Sequence, residues 1–161
     1  MQFSEDFLNN YKGKKHYHWQ VTGLPPVDWF AAIHNLDEVA NTNPQDILEL
    51  GNLGVVVHDI LSEKMSVHQE VAIKLMDIHQ CQVSHHVYMS FTGLSKSFPP
   101  HKDDVDVYLY NALGAIDFTV WDPDPITYTM APGDMVYVPA NVQHQSVPLE
   151  PRVSISYGIE K

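Results

Sequence analysis

Gly133-Asp134-Met135-Val136-Tyr137-Val138-Pro139-Ala140-Asn141-Val142-Gln143-His144 is the stretch whose reading decides the fold. Pro132-Gly133 just ahead of Asp134 fits the centre of a type II turn, where the second central residue needs the positive φ that glycine adopts freely. Met135-Val136-Tyr137-Val138 has the branched and aromatic content of a strand. Pro139 stops that strand, and Asn141 tolerates the left-handed backbone of a tight bend before His144.

The same alternation spreads outward over the second half of the chain. Val83, Val87 and Phe91 share one β-rich run, and Val105 to Tyr110, Phe118 to Trp121 and Val153 to Tyr157 supply others. Turn signals separate them: Phe98-Pro99-Pro100, Leu113-Gly114, Asp122-Pro123-Asp124-Pro125 and Pro148 to Pro151. Several short strands at this spacing imply a sandwich or barrel whose mouth can hold a ligand. The first half is mixed. Ser4 to Tyr11 suits a short helix and His16 to Val21 a strand. Asn43-Pro44 reads as the start of a helix that Gly51 ends, and Ser66-Val67-His68-Gln69 reads as a capping box opening an amphipathic helix that runs to about Gln80. The expected fold is mainly β with flanking helices, in one domain over residues 1–161. Residues 1–81 form its mixed α/β flank and 82–161 its β-barrel core.

Composition narrows the function. At 161 residues with 44% hydrophobic content, the chain suits a single core. Its one cysteine, Cys81, has no internal partner, which fits a reducing, cytoplasmic setting. The start Met1 to Asp6 carries acid where a signal peptide carries base, and no apolar run reaches the roughly 20 residues of a membrane helix. Twenty acidic against nine basic residues give a net charge of -11, which disfavours general nucleic-acid binding. Lys12, Lys14 and Lys15 form the only basic cluster. An acidic surface keeps a protein soluble; attraction of a basic protein or peptide is the sharper alternative.

The chemistry sits in His101-Lys102-Asp103, with His144 downstream. On a strand, His101 and Asp103 share a face and Lys102 points away, so the pair can chelate one ion with His144 as a third ligand from another strand. Two imidazoles and one carboxylate hold one face of a metal and leave the other open to ligands and O2. An isolated His-x-Asp arises often by chance, so the downstream motif carries much of the weight.

Glycine, five residues, proline, then histidine five residues later is similar to the second cupin motif, with Asn141 where glycine is usual. Ser97 to Tyr108, Gly114, Trp121, Pro132 to Pro139 and His144 together resemble the catalytic core of cupin-type JmjC oxygenases, which include ribosomal protein hydroxylases. Asp6 to Lys15 also resembles the opening of that family. The resemblance implies a double-stranded β-helix and an enzyme that uses Fe(II), 2-oxoglutarate and O2 to hydroxylate a C–H bond, releasing succinate and CO2. It also implies that His101, Asp103 and His144 are the iron ligands.

One departure matters. That family places a Lys or Arg for the distal carboxylate of 2-oxoglutarate on the strand after the first two ligands, and the position falls on Ile116. Other 2-oxoglutarate oxygenases use an Arg-x-Ser motif after the distal histidine, which Arg152-Val153-Ser154 resembles. Arg152 and Ser154 are expected to share the barrel-facing side, where a guanidinium grips a carboxylate through two charge-assisted bonds. Tyr88, Ser90 and Asn111 are further candidates to support cosubstrate or substrate. The bland alternative for Arg152 is a surface ion pair with Glu150 or Glu160. His16, His18, His85 and His86 read as satisfied strand or surface residues, with a second metal site as the alternative; Met76, Met89 and Met130 read as core filler. Two rival functions stay open: a cupin-like dioxygenase or isomerase that does not use 2-oxoglutarate, and a non-catalytic JmjC-like binding module. The substrate, protein or small molecule, is undetermined, and an oligomer is possible.

Overall fold

The structure, a computed structural model, describes residues 4–160. The acidic start therefore lies partly outside the described residues, at positions 1–3. The elements run α1 (Glu5–Asn10), β1 (Tyr17–Gln20), α2 (Trp29–Thr42), β2 (Leu48–Leu50), β3 (Val55–His58), α3 (Ser66–His79), β4 (Gln82–Ser90), β5 (Asp106–Leu113), β6 (Ile116–Trp121), β7 (Pro125–Met130), β8 (Asp134–Val138), β9 (Gln143–Pro148) and β10 (Arg152–Glu160). All pairings are antiparallel and fall into two sheets: β1-β8-β5-β10-β4-β3-β2 and β7-β6-β9. This is the expected double-stranded β-helix. The first half contributes three strands to the large sheet, β1 on one edge and β3-β2 on the other.

Alternation along the strands divides the core in two. Val153, Ile155, Tyr157 and Ile159 of β10 face the helices and join Val87, Met89, Tyr108, Leu75 and Phe7 in the larger cluster. Val136 and Val138 of β8 and Leu109 of β5 face inward and meet Ile116, Phe118 and Val120 of β6. Each sheet residue thus serves one layer only, because successive side chains point to opposite faces.

Several local expectations need correction. The helix expected from Asn43 to Gly51 is a single 3-10 turn over Pro44–Asp46, and Asn43 makes no side-chain cap. Leu48-Glu49-Leu50 alternates apolar and polar, and Leu48–Leu50 pairs with Val55–Val57 as a hairpin instead. The real helix there is α2, capped by Asp28, whose carboxylate accepts the Ala31 N–H at 2.8 Å. Ser66 begins α3 but does not cap it; its hydroxyl donates to the Glu63 carbonyl, and Gln69 donates to the Ile60 carbonyl. Strands β7 and β9 were also not anticipated. Pro125 opens β7, which a sheet edge tolerates because no partner needs its missing N–H.

The turns behave as the sequence requires. Gly133 has φ +98° and Asp134 N–H reaches the Ala131 carbonyl at 3.1 Å, closing the expected turn. Asn141 adopts φ +64°. Gly114, at φ +71°, sits so close to the chain before Arg152 that a Cβ there would overlap the Pro151 carbonyl.

Candidate metal centre and anion pocket

His101, Asp103 and His144 converge, but not by the expected route. His101 and Asp103 lie in the loop before β5, and His101 touches the sheet only through an isolated bridge to His144. His101 N–H donates to the His144 carbonyl at 3.0 Å and His144 N–H to the His101 carbonyl at 2.9 Å. Asn141 N–H donates to the Asp103 carbonyl at 2.7 Å. Strand alternation is therefore not what aims the pair. Backbone bonds from their loop to His144 at the start of β9 and to the turn before it do so.

One ligand atom from each of the three residues lies within 4.8 Å of the others. Asp103 stands 3.3 Å from His144 Nε2 and 3.9 Å from His101 Nε2. The hydrogen bond from His144, with the nearby His101, holds the Asp103 carboxyl below the usual carboxylate range against the opposing pull of burial. The His101 and His144 Nδ1 atoms sit 2.9 Å and 3.1 Å from the carbonyls of Pro99 and Val142. A carbonyl can only accept, so each ring carries a proton on Nδ1, which leaves Nε2 as the atom that each ring can offer to a metal. Two such nitrogens and one carboxylate oxygen, with no thiolate, suit a non-haem Fe(II) facial site. Phe118 stacks on His144 with centroids 5.6 Å apart and fixes the ring plane.

The three ligands line a cleft that is partly open to solvent. Arg152 lines the same cleft, 1% exposed. The surface ion pair with Glu150 or Glu160 does not form: the Arg152 guanidinium bonds Ser154 Oγ at 3.1 Å, Ser90 Oγ at 3.3 Å and Ser97 Oγ at 3.4 Å. Among the described residues no carboxylate forms an ion pair with it. Burial lowers its pKa to about 10, opposed by Tyr88, and the group stays cationic at neutral pH. A buried cation held only by neutral hydroxyls keeps unspent affinity for an anion.

The other candidates divide. Tyr88 lines the cleft, with its hydroxyl pKa raised by burial. Ser90 and Ser154 orient the guanidinium. Asn111, fully buried, accepts from Ser154 Oγ at 3.1 Å and donates to the carbonyls of Gly114 at 2.7 Å and Met130 at 3.2 Å. Its amide hydrogens are thus engaged inside the fold. Ile116 is wholly buried in the inner core. Sequence reasoning missed Ser97, Ser146 and Ser156, which also line the cleft. Ser156 and Ser146 follow Arg152 and His144 at even spacing along β10 and β9, a signal that was readable once those strands were known.

Three of the histidines outside the triad lie against side chains of their own. His85 pairs with Asp59 at 2.6 Å, His16 meets the Tyr128 hydroxyl at 3.1 Å, and His18 stacks on Tyr128. Among the described residues the one group fit to hold a metal is His101, Asp103 and His144. Met89 and Met130 are buried as core residues.

No family model matches the sequence, and no curated protein matches it. Solved structures do. The ribosomal oxygenase YcfD of Escherichia coli superposes with a TM-score of 0.72 at 16% identity, over 100% of this chain and 52% of that one. Its complex with cobalt and 2-oxoglutarate gives 0.67 at 18% identity, over 97% and 51%. An RmlC-like cupin from Shewanella frigidimarina gives 0.52 at 15% identity, over 74% and 87%. The fold is that of a cupin. This chain spans about half the length of the ribosomal oxygenase. Within the cupin fold, His101 and Asp103 stand on the loop before β5 and His144 at the start of β9, and Arg152 stands on β10 of the large sheet. Among the described residues no helix is long and apolar enough to cross a membrane.

Proposed function

We propose that this protein is an Fe(II)- and 2-oxoglutarate-dependent oxygenase that hydroxylates a C–H bond with release of succinate and CO2. The carrying observation is the pairing, in one cleft, of a His-Asp-His facial set with a buried arginine that has no carboxylate of its own. His101, Asp103 and His144 would hold the iron. The chemistry iron supplies there is the oxidation of 2-oxoglutarate by O2 coupled to oxidation of a substrate bond.

The chain's own residues do the rest. Arg152, oriented by Ser90, Ser97 and Ser154, grips the distal carboxylate in place of the family anchor at Ile116. Val107, Leu109 and Phe118 present apolar walls that keep bulk water from the reacting groups. Tyr88 offers a protonated hydroxyl to cosubstrate or substrate. Lys12 and Lys14 spend their ammonium groups on the carbonyls of Ile78 and Asn9, which leaves little basic surface for nucleic acid. A cytoplasmic setting, and a protein or small-molecule substrate, remain part of this proposal.

One observation favours a second reading, a cupin dioxygenase or isomerase that dispenses with 2-oxoglutarate: Ile116 fills the usual anchor position with a buried apolar side chain. Succinate release from 2-oxoglutarate with Fe(II) and O2 separates the two. Wild type is expected to turn over slowly without substrate, Asp103→Ala to lose turnover, and Arg152→Ala to need far more 2-oxoglutarate. No succinate from wild type sinks the proposal, and unchanged 2-oxoglutarate dependence in Arg152→Ala sinks the anchor. A non-catalytic binding module predicts no turnover in any variant.

A further inference from the structure

Three ligands from two segments can bind one ion tightly only if the segments hold a fixed separation, and the iron ligands here come from the loop of His101 and Asp103 and from His144 at the start of β9. Asp106 is the first residue of β5, directly after the His-x-Asp loop, and is 3% exposed. One of its oxygens accepts the Ala140 N–H at 2.9 Å, in the turn between Pro139 and His144. Its other oxygen accepts the Tyr137 hydroxyl at 2.9 Å, and that hydroxyl in turn accepts the Gly13 N–H at 2.6 Å. The next residue in the turn, Asn141, donates to the Asp103 carbonyl. A single carboxylate thus ties the loop of two ligands to the turn that aims the third.

We infer that Asp106 is a positioning residue of the metal centre: through the Ala140 amide it sets the span between Asp103 and His144, and so tunes metal affinity without touching the metal. The inference rests on the metal-site reading above. The two bonds of Asp106 have different jobs. The Ala140 bond spans from the end of the His101–Asp103 loop to the turn that leads into His144, whereas the Tyr137 bond runs along the outer face to the N-terminal segment. Charge-assisted bonds to a carboxylate are the stronger kind, so this tie resists the spread that thermal motion would impose on two loops.

Co(II) binding to the full chain, followed by its visible absorption bands, reads the site without cosubstrate or turnover. Asp106→Ala is expected to weaken Co(II) binding by about 10–100-fold and to alter the band intensities, as loss of supporting partners does at metal sites. Asp106→Asn can still accept the Ala140 N–H and should recover most of the affinity. Tyr137→Phe keeps the loop tie and should bind Co(II) like wild type. If Asp106→Ala does not fold by circular dichroism, Asp106→Glu, whose extra methylene carries the carboxylate past the Ala140 amide, takes its place with the same expected weakening. Folded Asp106→Ala or Asp106→Glu binding as wild type overturns the inference, as does Tyr137→Phe weakening binding equally. Wild type that fails to bind Co(II) overturns the metal-site reading itself.

Discussion

Strand β10 has two faces with opposite duties. Arg152, Ser154 and Ser156 turn inward toward the cleft or its supports, whereas Val153, Ile155, Tyr157 and Ile159 turn outward under the helices. The inner row is polar, and the outer row carries apolar burial. The difference teaches how the fold tolerates a buried cation: the face that closes the larger core is left free of the site's chemistry. Polar burial is costly and apolar burial favourable, so separating them by side-chain parity lets one strand do both.

The largest expected effect breaks the outer face. Ile155→Ala should cost about 2–5 kcal/mol of stability in urea unfolding, while the folded fraction binds Co(II) unchanged. Loss of metal binding without loss of stability would contradict the division of faces.

A pH effect of similar size belongs to the same face. His68 of α3 is buried with its Nδ1 3.1 Å from the Tyr157 hydroxyl, and burial lowers its pKa to about 4 from an ordinary 6.5. In the unfolded chain His68 takes a proton near pH 6.5, and in the folded chain only near 4. Its contribution is therefore intact above 6.5 and is lost as pH falls toward 4, by up to about 3 kcal/mol. His68→Gln should flatten that part of the stability profile, and an unchanged slope would reassign it to other groups.

The inner face should respond in the reverse sense. Arg152→Met removes a buried cation with no ionic partner, so stability should stay level or rise by roughly 1–4 kcal/mol. Succinate and 2-oxoglutarate binding, read by calorimetry, should fall sharply. A large loss of stability would mean that Arg152 serves the fold first. The smallest effect is Ser154→Ala, which removes one acceptor from the guanidinium and should cost about 1 kcal/mol of cosubstrate affinity. The Asn111 carbonyl then loses the Ser154 hydroxyl, so a small stability loss accompanies it.

Much of the site was legible in the chain. His101, Asp103, His144 and Arg152 were marked by residue type and by the turn residues around them, because Gly133, Asn141 and the prolines constrain backbone locally. The cleft hydroxyls of Ser97 and Ser146 were not, since Ser97 lies in a loop and the even spacing of Ser146 from His144 has meaning only once β9 is known. Strand β7 carries a readable alternation, with Ile126, Tyr128 and Met130 against Thr127 and Thr129, whereas β9, from Gln143 to Pro148, has none and is decided by its pairing with β6. The hairpin at Leu48 escaped because the Asn43-Pro44 signal is local, whereas strand pairing with Val57 is not.

The sequence by itself determined the strand-rich core, the turns at Gly133 and Asn141, and which side chains could serve as ligands, because these depend on residues close in the chain. Only the tertiary structure decided that His101 and Asp103 are aimed by backbone bonds from their loop to β9 and the turn before it rather than by alternation along a strand of their own. It also decided that Arg152 lies buried among three serines and, among the described residues, forms no ion pair with a carboxylate. Both outcomes depend on segments roughly 40 to 60 residues apart meeting across the sheets, and such meetings are set by packing of the whole core rather than by local preference.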